Sequence, residues 1–245
     1  MVKYIWLAGI LMLTAITNYS SGATVAVLGT GRVGAALGVQ FAQQGYQVVY
    51  GSRDPGRPAV AALVAKTGYG ASAATPDAAV TKASIVVIAL PWKATEAMVK
   101  SLDLAGRIVI DPTNALTIGP SGLMEMAVET SAGELIQSWA PKAKVVKAFN
   151  TLGFHVMANP ALAGGPVTSP LAGDDADAKR QVGEIVRAMG IETVDVGPIR
   201  NARALEAMAV LYMVPYLTGN REEAFEYYLR KGAAPKQSEG VRPAQ

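Results

Sequence analysis

The stretch VAVLGTGRVG at residues 25–34 constrains the fold of this chain more than any other feature. A short apolar run rich in β-branched residues leads into the pattern Gly-x-Gly-x-x-Gly, and an amphipathic stretch follows from residue 32 to residue 44. A strand, a tight turn and a helix in this order are what a dinucleotide-binding site requires. A βα turn that uses glycine for geometry alone is the competing interpretation. The agreement of strand, spacing and helix favours the dinucleotide site.

The three glycines of the motif have separate roles. Gly29 permits the tight turn, Gly31 lets the backbone approach a pyrophosphate, and Gly34 lets the helix pack closely on the strand. Phosphates would lie at the helix N-terminus, where free N–H groups and the helix dipole favour anions. The candidate cofactor-binding residues of this loop are Gly29, Thr30, Gly31, Arg32, Val33 and Gly34.

The end of the second predicted strand favours NADP over NAD. Gly51 lies about where an NAD enzyme carries the acidic residue that binds the ribose 2′-hydroxyl group. Ser52 can instead donate a hydrogen bond to a 2′-phosphate, and the guanidinium group of Arg53 can pair with its charge and stack on adenine. The competing interpretation is an NAD site in which Asp54 serves the ribose and Arg53 is a solvated loop residue.

Beyond the motif, the chain alternates strands and helices. Continuous apolar runs at 84–90, 107–110 and 144–147 fit strands that are buried on both faces of a parallel sheet. Helices are predicted at 58–66, 177–189, 201–216 and 222–231, with a further strand at 193–196. The predicted fold is α/β, a Rossmann-like, doubly wound, mostly parallel sheet with a small C-terminal helical extension. The predicted segments are a leader at 1–23, an NADP-binding domain at 24–200, the helical extension at 201–231 and a mobile tail at 232–245.

Three predicted strand ends face the same crevice as the glycine loop, because ligands of open α/β sheets lie outside the carboxyl ends of the strands. These ends are the loops at 89–92, 111–114 and 148–150. Leu90, Pro91 and Trp92 could wall the nicotinamide, and Asn114 or Asn150 could serve its carboxamide or the acceptor. Trp92 in the core, and the two asparagines in capping turns, are the alternatives.

Composition excludes several classes of function. With a net charge of +3 and scattered cations, the chain has no concentrated basic face for nucleic acid. The absence of cysteine and the single histidine, His155, argue against a zinc cluster, a cysteine nucleophile or a Ser-His-Asp triad. Asp174 and Asp175 precede a predicted helix, where aspartate caps free N–H groups, so we expect no metal site there.

Residues 1–23 have the layout of a secretory signal peptide. Lys3 precedes an apolar run that is too short for a comfortable transmembrane span, and small residues follow at 20–23. Export to the periplasm or exterior, or membrane anchoring through this segment, is the favoured interpretation. A start site misassigned upstream of a cytoplasmic chain is the alternative.

Several short motifs together resemble the NADPH-dependent coenzyme F420 reductase family. They are GTGRVG at 29–34, GSRD at 51–54, DPTN at 111–114, VKAFNT at 146–151, AGDD at 172–175, VDVGP at 194–198 and ARALE at 202–206. The resemblance implies direct hydride transfer between NADP and the deazaflavin. It also implies that Thr30, Ser52 and Arg53 hold the NADP phosphates, and that the strand ends at 89–91 (Ala89, Leu90, Pro91) and 148–150 (with Ala148 and Asn150) flank the nicotinamide. The same region is similar to the NADPH-binding part of STEAP-type metalloreductases, which use flavin.

The sequence leaves several candidates for the hydride acceptor. Hydride transfer between two ring cofactors needs orientation more than a side-chain acid, so no catalytic residue is assigned. F420, a flavin, and a small imine or carbonyl compound are the candidate acceptors, and a non-catalytic NADP-binding sensor or scaffold is the alternative from another class. The apolar helix at 201–216 favours packing against the sheet or a second copy, so we expect a homodimer.

Overall fold

A computed structural model describes residues 22–232, so most of the predicted leader and most of the tail lie outside the described residues. The strands of the described part are Thr24–Leu28 (β1), Gln47–Gly51 (β2), Ser72–Ala74 (β3), Ile85–Ile88 (β4), Ile108–Asp111 (β5), Leu116–Ile118 (β6), Met124–Met126 (β7), Lys144–Lys147 (β8), Thr168–Gly173 (β9) and Glu192–Asp195 (β10). The α-helices are Arg32–Gln43 (α1), Pro58–Thr67 (α2), Pro76–Thr81 (α3), Trp92–Lys100 (α4), Ala132–Trp139 (α5), Phe154–Ala158 (α6), Ala176–Ala188 (α7) and Ala202–Leu217 (α8).

Eight strands form one sheet in the order β10-β9-β8-β5-β4-β1-β2-β3, and β6 and β7 form a separate antiparallel hairpin. All neighbouring pairs of the large sheet are parallel except β8 and β9. The chain order reverses between β1 and β4. In doubly wound sheets this reversal opens a crevice at the carboxyl ends of the strands. The fold prediction is therefore confirmed.

Alternate side chains of the central strands supply apolar residues to the two faces of the sheet. Val25 and Val27 of β1 enter one buried cluster, which includes residues of α1, α6 and α7. Ala26 and Leu28 enter the opposite cluster, with residues of α3, α4 and α5. Successive side chains of a strand point to opposite faces, so a continuously apolar strand supports a helical layer on each side. Among residues 22–232, no helix is long and apolar enough to cross a membrane.

Two regions differ from the sequence-based expectations. The predicted helix at 222–231 is wrong, since only a short 3₁₀ turn at Arg221–Glu223 forms there. The chain beyond it docks instead beside the start of β9, where the Thr168 N–H donates to the Tyr227 carbonyl oxygen (2.8 Å) and the Leu229 N–H donates to Thr168 Oγ1 (3.0 Å). These contacts between distant segments outweigh local helix propensity.

The strand β9 was not predicted, and it contains Pro170, a residue that is unfavourable inside a sheet. The structure accommodates this proline because β8 pairs only with Ala172 and Gly173, at the far end of β9. Pro170 therefore lies beyond the β8–β9 pairing and interrupts no hydrogen bond between those strands.

A fully buried lysine joins the sheet to the last helix. Lys147 Nζ lies 2.7 Å from Asp111 Oδ2 of β5 and 2.7 Å from Glu206 Oε1 of α8, and it donates to the Thr113 carbonyl oxygen at 2.7 Å. All three charged side chains have no solvent exposure. Buried charges are tolerated only when they are paired and hydrogen-bonded, so this arrangement fixes the position of α8 relative to β5 and β8.

Three backbone N–H groups donate hydrogen bonds to the Glu206 carboxylate. Glu206 Oε2 accepts hydrogen bonds from Ala115 N (3.1 Å) and Ala132 N (3.0 Å), and Oε1 accepts one from Gly133 N (3.3 Å). Ala132 and Gly133 begin α5, so Glu206 occupies the positive end of that helix dipole. One glutamate thereby links α8, the start of α5 and the residue that precedes the β6–β7 hairpin.

We predict that Lys147→Met lowers the free energy of unfolding by about 3–5 kcal/mol, because it leaves two buried carboxylates without their cation. The measurement is urea unfolding followed by circular dichroism. Lys144→Met in the same strand is the matched control, since Lys144 pairs with Asp175 while 42% exposed. An exposed pair of this kind is worth about 1 kcal/mol or less. Equal losses in the two variants would contradict the role given to Lys147.

Candidate functional site

A cleft with a volume of about 860 Å³ lies at the carboxyl ends of β1, β2 and β4. Its lining residues are Leu28, Gly29, Thr30, Gly31, Gly51, Ser52, Arg53, Asp54, Arg57, Pro76, Ala89, Leu90, Pro91, Ala94, Ala97, Met98 and Ser101. Eight of the predicted cofactor-binding residues line this cleft: Gly29, Thr30, Gly31, Ser52, Arg53, Ala89, Leu90 and Pro91. The glycine loop, the β2 end and the β4 end therefore meet at one site.

The glycine loop shows which of its glycines the backbone requires. Gly29 has a φ of 109°, and a Cβ atom there would lie 2.2 Å from the Ala89 carbonyl oxygen. A Cβ atom at Gly34 would lie 2.0 Å from the Gly29 carbonyl oxygen. A Cβ atom at Gly31 would meet no described atom within 4 Å. Two glycines thus serve the packing of strand and helix, while Gly31 leaves open space that a ligand can enter.

The start of α1 is a suitable anion site. Its N-cap residue is Gly31, no side chain of the described residues caps it, and its first turn contains no acidic residue. The first N–H groups of a helix have no partner within the helix, and the dipole adds partial positive charge. This helix start at the cleft therefore fits a pyrophosphate by hydrogen bonding as well as by charge.

The end of β2 adds positive charge to the cleft. Arg53 and Arg57 are exposed at its rim, and Arg57 Nη2 donates to Thr30 Oγ1 at 3.4 Å. The Ser52 hydroxyl group donates to the Asp54 carbonyl oxygen at 3.0 Å, so it must rotate to donate to a phosphate. Among the lining residues, Asp54 is the one carboxylate against two arginines, which favours an anionic group.

Arg57 was missed by the sequence analysis. It lies four residues beyond Arg53 and just before α2, and its contact with Thr30 brings it to the glycine loop. Its spacing from Arg53 could have identified it. A second cation four residues after Arg53 can reach the same 2′-phosphate. Met98 of α4 and Ser101, the residue that caps its C-terminus, were also missed, because no helix was predicted there.

The predicted residues at the β8 end do not line the cleft. Ala148 is fully buried, and Asn150 is 5% exposed. Asn150 Nδ2 donates to Asn114 Oδ1 (3.0 Å) and to the Leu205 carbonyl oxygen (2.8 Å), so its amide links two strand ends to α8. Asn150 Oδ1 is buried without a hydrogen-bond partner among the described residues. Contact of Ala148 or Asn150 with a nicotinamide stays a prediction.

Phe149, between these two residues, has an unusual backbone conformation. Its φ is 65°, its side chain is fully buried, and its N–H donates to Ser169 Oγ at 2.7 Å. A bulky residue in the left-handed region costs about 1–3 kcal/mol, and such residues concentrate at functional sites. The loop after β8 is therefore held in one conformation by its surroundings.

Three further sequence predictions have structural outcomes. Trp92 does not line the cleft, since it begins α4 and stacks on Trp139 with ring centroids 5.6 Å apart. Asp175 caps α7 as predicted, accepting a hydrogen bond from Ala178 N at 2.8 Å. Asp174 accepts one from Ile199 N at 2.9 Å. Within residues 22–232, no group of three or more His, Cys, Asp or Glu side chains is arranged to hold a metal ion.

The sequence is similar to those of several reductases. The family described as "NADP oxidoreductase coenzyme F420-dependent" matches residues 24–115. The metalloreductase STEAP3 of Rattus norvegicus is 30% identical over 187 residues, which is 75% of this chain and 36% of that protein. The chain thus spans about a third of the length of that relative. The F420-dependent NADP reductase of Methanothermobacter marburgensis is 27% identical over 203 residues, 76% of this chain and 89% of that protein.

Comparison of structures agrees. A crystal structure of a candidate F420-dependent NADP reductase from Arthrobacter sp. FB24 superposes with a TM-score of 0.76 at 30% identity and covers 84% of this chain and 99% of that one. A reductive aminase from Aspergillus terreus, solved with NADPH, has a TM-score of 0.55 at 20% identity, covering 81% of this chain and 63% of that one. The latter likeness concerns the fold alone.

The glycine loop yields a paired prediction. Gly34→Ala lowers the free energy of unfolding by about 1–3 kcal/mol, because its Cβ atom overlaps the Gly29 carbonyl oxygen. Gly31→Ala costs about 1 kcal/mol or less, since its Cβ atom enters open space at a helix N-cap, but it obstructs a phosphate there. Thermal unfolding and nucleotide binding, measured on both variants, test this. A Gly31→Ala variant that binds NADPH as tightly as the wild type would contradict it.

Proposed function

Because this chain belongs to the coenzyme F420-dependent NADP oxidoreductase family, we propose that it transfers a hydride between NADPH and a ring cofactor of the deazaflavin or flavin type. The observation that carries the proposal is the cleft, where an uncapped helix start, an open glycine and two arginines lie together. Family membership supports NADP as the nucleotide. The identity of the hydride acceptor goes beyond what family membership supports.

The residues of the cleft fit NADP in three places. Gly31 and the first N–H groups of α1 would hold the pyrophosphate. Arg53 and Arg57 would pair with the 2′-phosphate, and Ser52 would donate to it after rotation away from Asp54. Bound NADPH supplies the hydride; the protein supplies position and electrostatics.

A second candidate function is reduction of a small imine or carbonyl compound with the same nucleotide. It is favoured by a specific observation, since His155 lies on α6, in the segment that follows β8, and its side chain is 42% exposed. A compound of this kind needs a proton as well as a hydride, and a positioned side chain can supply it. A protein that binds NADPH without turnover would support the sensor or scaffold interpretation instead.

We predict that Arg53→Ala weakens NADPH binding by about 10- to 100-fold, because a hydrogen bond to a charged group contributes about 1.5–3 kcal/mol. Binding of NADH, which lacks the 2′-phosphate, should change by less than about twofold. Both affinities are measured by isothermal titration calorimetry. Arg180→Ala on the surface of α7 is the control. Equal weakening of NADPH and NADH binding by Arg53→Ala would contradict a 2′-phosphate contact.

The acceptor is tested by mixing the full chain with NADPH and oxidised F420 and following the loss of deazaflavin absorbance. Parallel reactions contain FAD, FMN or a cyclic imine, and NADH replaces NADPH in the control. Reduction of F420 or a flavin supports the proposed function. Reduction of the imine alone supports the second candidate, and tight NADPH binding with no reduced acceptor supports the sensor.

We also propose that the chain forms a homodimer through α8. Leu211, Val214 and Leu217 on this helix are 55%, 39% and 39% exposed, a concentration of apolar surface that a second copy would cover.

Leu211→Lys is expected to convert the dimer to a monomer, because it introduces an unpaired charge into the proposed apolar contact. Light scattering coupled to size-exclusion chromatography measures the mass. Leu162→Lys is the matched control, since Leu162 is 61% exposed in a 3₁₀ turn away from α8. Dissociation by both variants, or a monomeric wild type, would contradict the proposal.

A further inference from the structure

Polar and aromatic side chains outside the cleft form a compact group around His155 of α6. The Tyr212 hydroxyl group donates to Glu226 Oε1 at 3.0 Å, and the Tyr212 and Tyr216 hydroxyl oxygens are 3.4 Å apart. His155 Nε2 lies 3.7 Å from the same Glu226 oxygen. We call these four residues the His155 cluster. They come from α6, α8 and the segment after α8, so only the folded chain brings them together.

The His155 ring is tightly placed. A Cβ atom at Gly153 would lie 2.5 Å from His155 Cε1 and 2.5 Å from the Tyr212 hydroxyl oxygen, so the glycine backbone fills the space between the two rings. Glu226 Oε2 is buried without a hydrogen-bond partner among residues 22–232. The His155 side chain itself is 42% exposed. One face of the imidazole is therefore held by the protein while the ring stays accessible from solvent.

Two side chains, those of Phe154 and Arg32, connect the His155 cluster to the start of α1. The Phe154 ring centroid lies 5.8 Å from that of His155, and the Arg32 guanidinium carbon lies 5.2 Å from the Phe154 centroid. Arg32 is the first residue of α1 and follows Gly31 directly. The side chains of Phe154 and Arg32 therefore connect His155 to the helix start that would hold the pyrophosphate.

The charges around His155 come from three elements. Glu226 faces it from the segment after α8, Tyr212 and Tyr216 belong to α8, and Arg32 of α1 lies beyond Phe154. Burial raises the pKa of the Glu226 carboxyl group, and the Tyr212 hydrogen bond and the His155 charge oppose that rise. Burial also raises the pKa of Tyr212, so its hydroxyl group keeps its proton and remains a donor to Glu226.

We propose that His155 supplies the proton that the hydride acceptor takes up, and that Glu226 and Tyr212 are positioning residues that hold its ring. This inference rests on the proposed function, because it presupposes a hydride acceptor beside the glycine loop. It extends that function by assigning a catalytic residue, and it applies to any acceptor with a polarised C=N, C=O or conjugated ring nitrogen.

Atoms and electrons are conserved in the proposed step. The electrophilic atom of the acceptor, a carbon or the ring nitrogen of a flavin, gains the hydride with both electrons of the broken C–H bond of NADPH, which is thereby oxidised to NADP⁺. The electron pair of the acceptor's π bond moves to its nitrogen or oxygen, and that atom takes the proton released by the His155 imidazolium. Neutral His155 is then reprotonated from solvent through its exposed edge. The acceptor is reduced by two electrons, and no further reductant is required.

The first test needs no acceptor. His155 is the single histidine of the chain, so tag-free protein gives one imidazole Hε1 resonance in a proton NMR spectrum. We expect this resonance to shift when NADP⁺ is added and the shift to saturate with the affinity measured by calorimetry. An unmoved resonance in protein saturated with NADP⁺ would overturn the inference alone. Absence of NADP⁺ binding would overturn the proposed function and the inference with it.

The second test uses an acceptor that the wild type reduces. His155→Gln should lower kcat by about 100-fold or more, as loss of a positioned acid does, while NADPH affinity changes by less than about twofold. Added imidazole should restore part of the rate in His155→Ala, which a merely structural role does not allow. Glu226→Gln should lower kcat, whereas Glu223→Gln, exposed in the same segment, should not. Full activity of His155→Gln, or no rescue by imidazole, would overturn the inference.

Discussion

The buried contact between Lys147 and its two carboxylates is the interaction on which the rest of the structure depends. Asp111 lies on β5, Lys147 on the neighbouring β8 and Glu206 on α8, so one ammonium group connects the centre of the sheet to the last helix. The Glu206 carboxylate also takes hydrogen bonds from the start of α5. A buried ion group adds little net stability compared with an apolar core, but removing one member is costly, so it specifies one arrangement.

That arrangement explains why three of the family motifs occur together. The motif at 111–114 contains Asp111, the motif at 146–151 contains Lys147, and the motif at 202–206 contains Glu206. They resembled the F420-dependent family as isolated strings, but in the structure they are partners in one contact. A second ion pair also connects α8 to another element, since Arg203 of α8 donates twice to Glu134 of α5, at 2.7 and 2.8 Å. Part of the family signature therefore maintains the fold.

The sequence could predict the fold and much of the cleft because local features determine them. The glycine loop needs specific residues at fixed spacing, and the apolar runs of the central strands follow from burial on both faces. The positions of Arg57, Phe154 and Glu226 depend instead on contacts between segments that are distant in the chain. Phe149 shows the same limit, since nothing in its identity indicates a positive φ. Such features arise from packing and have no local pattern.

The buried contact also orders events during synthesis. Asp111 and Lys147 leave the ribosome well before Glu206, so Lys147 has only one of its two carboxylates until α8 is made. Closing the contact between Lys147 and Glu206 requires a long loop to form first, which slows folding. We therefore expect a chain truncated ahead of α8 to lack a partner for its buried lysine and to aggregate instead of forming a smaller stable domain.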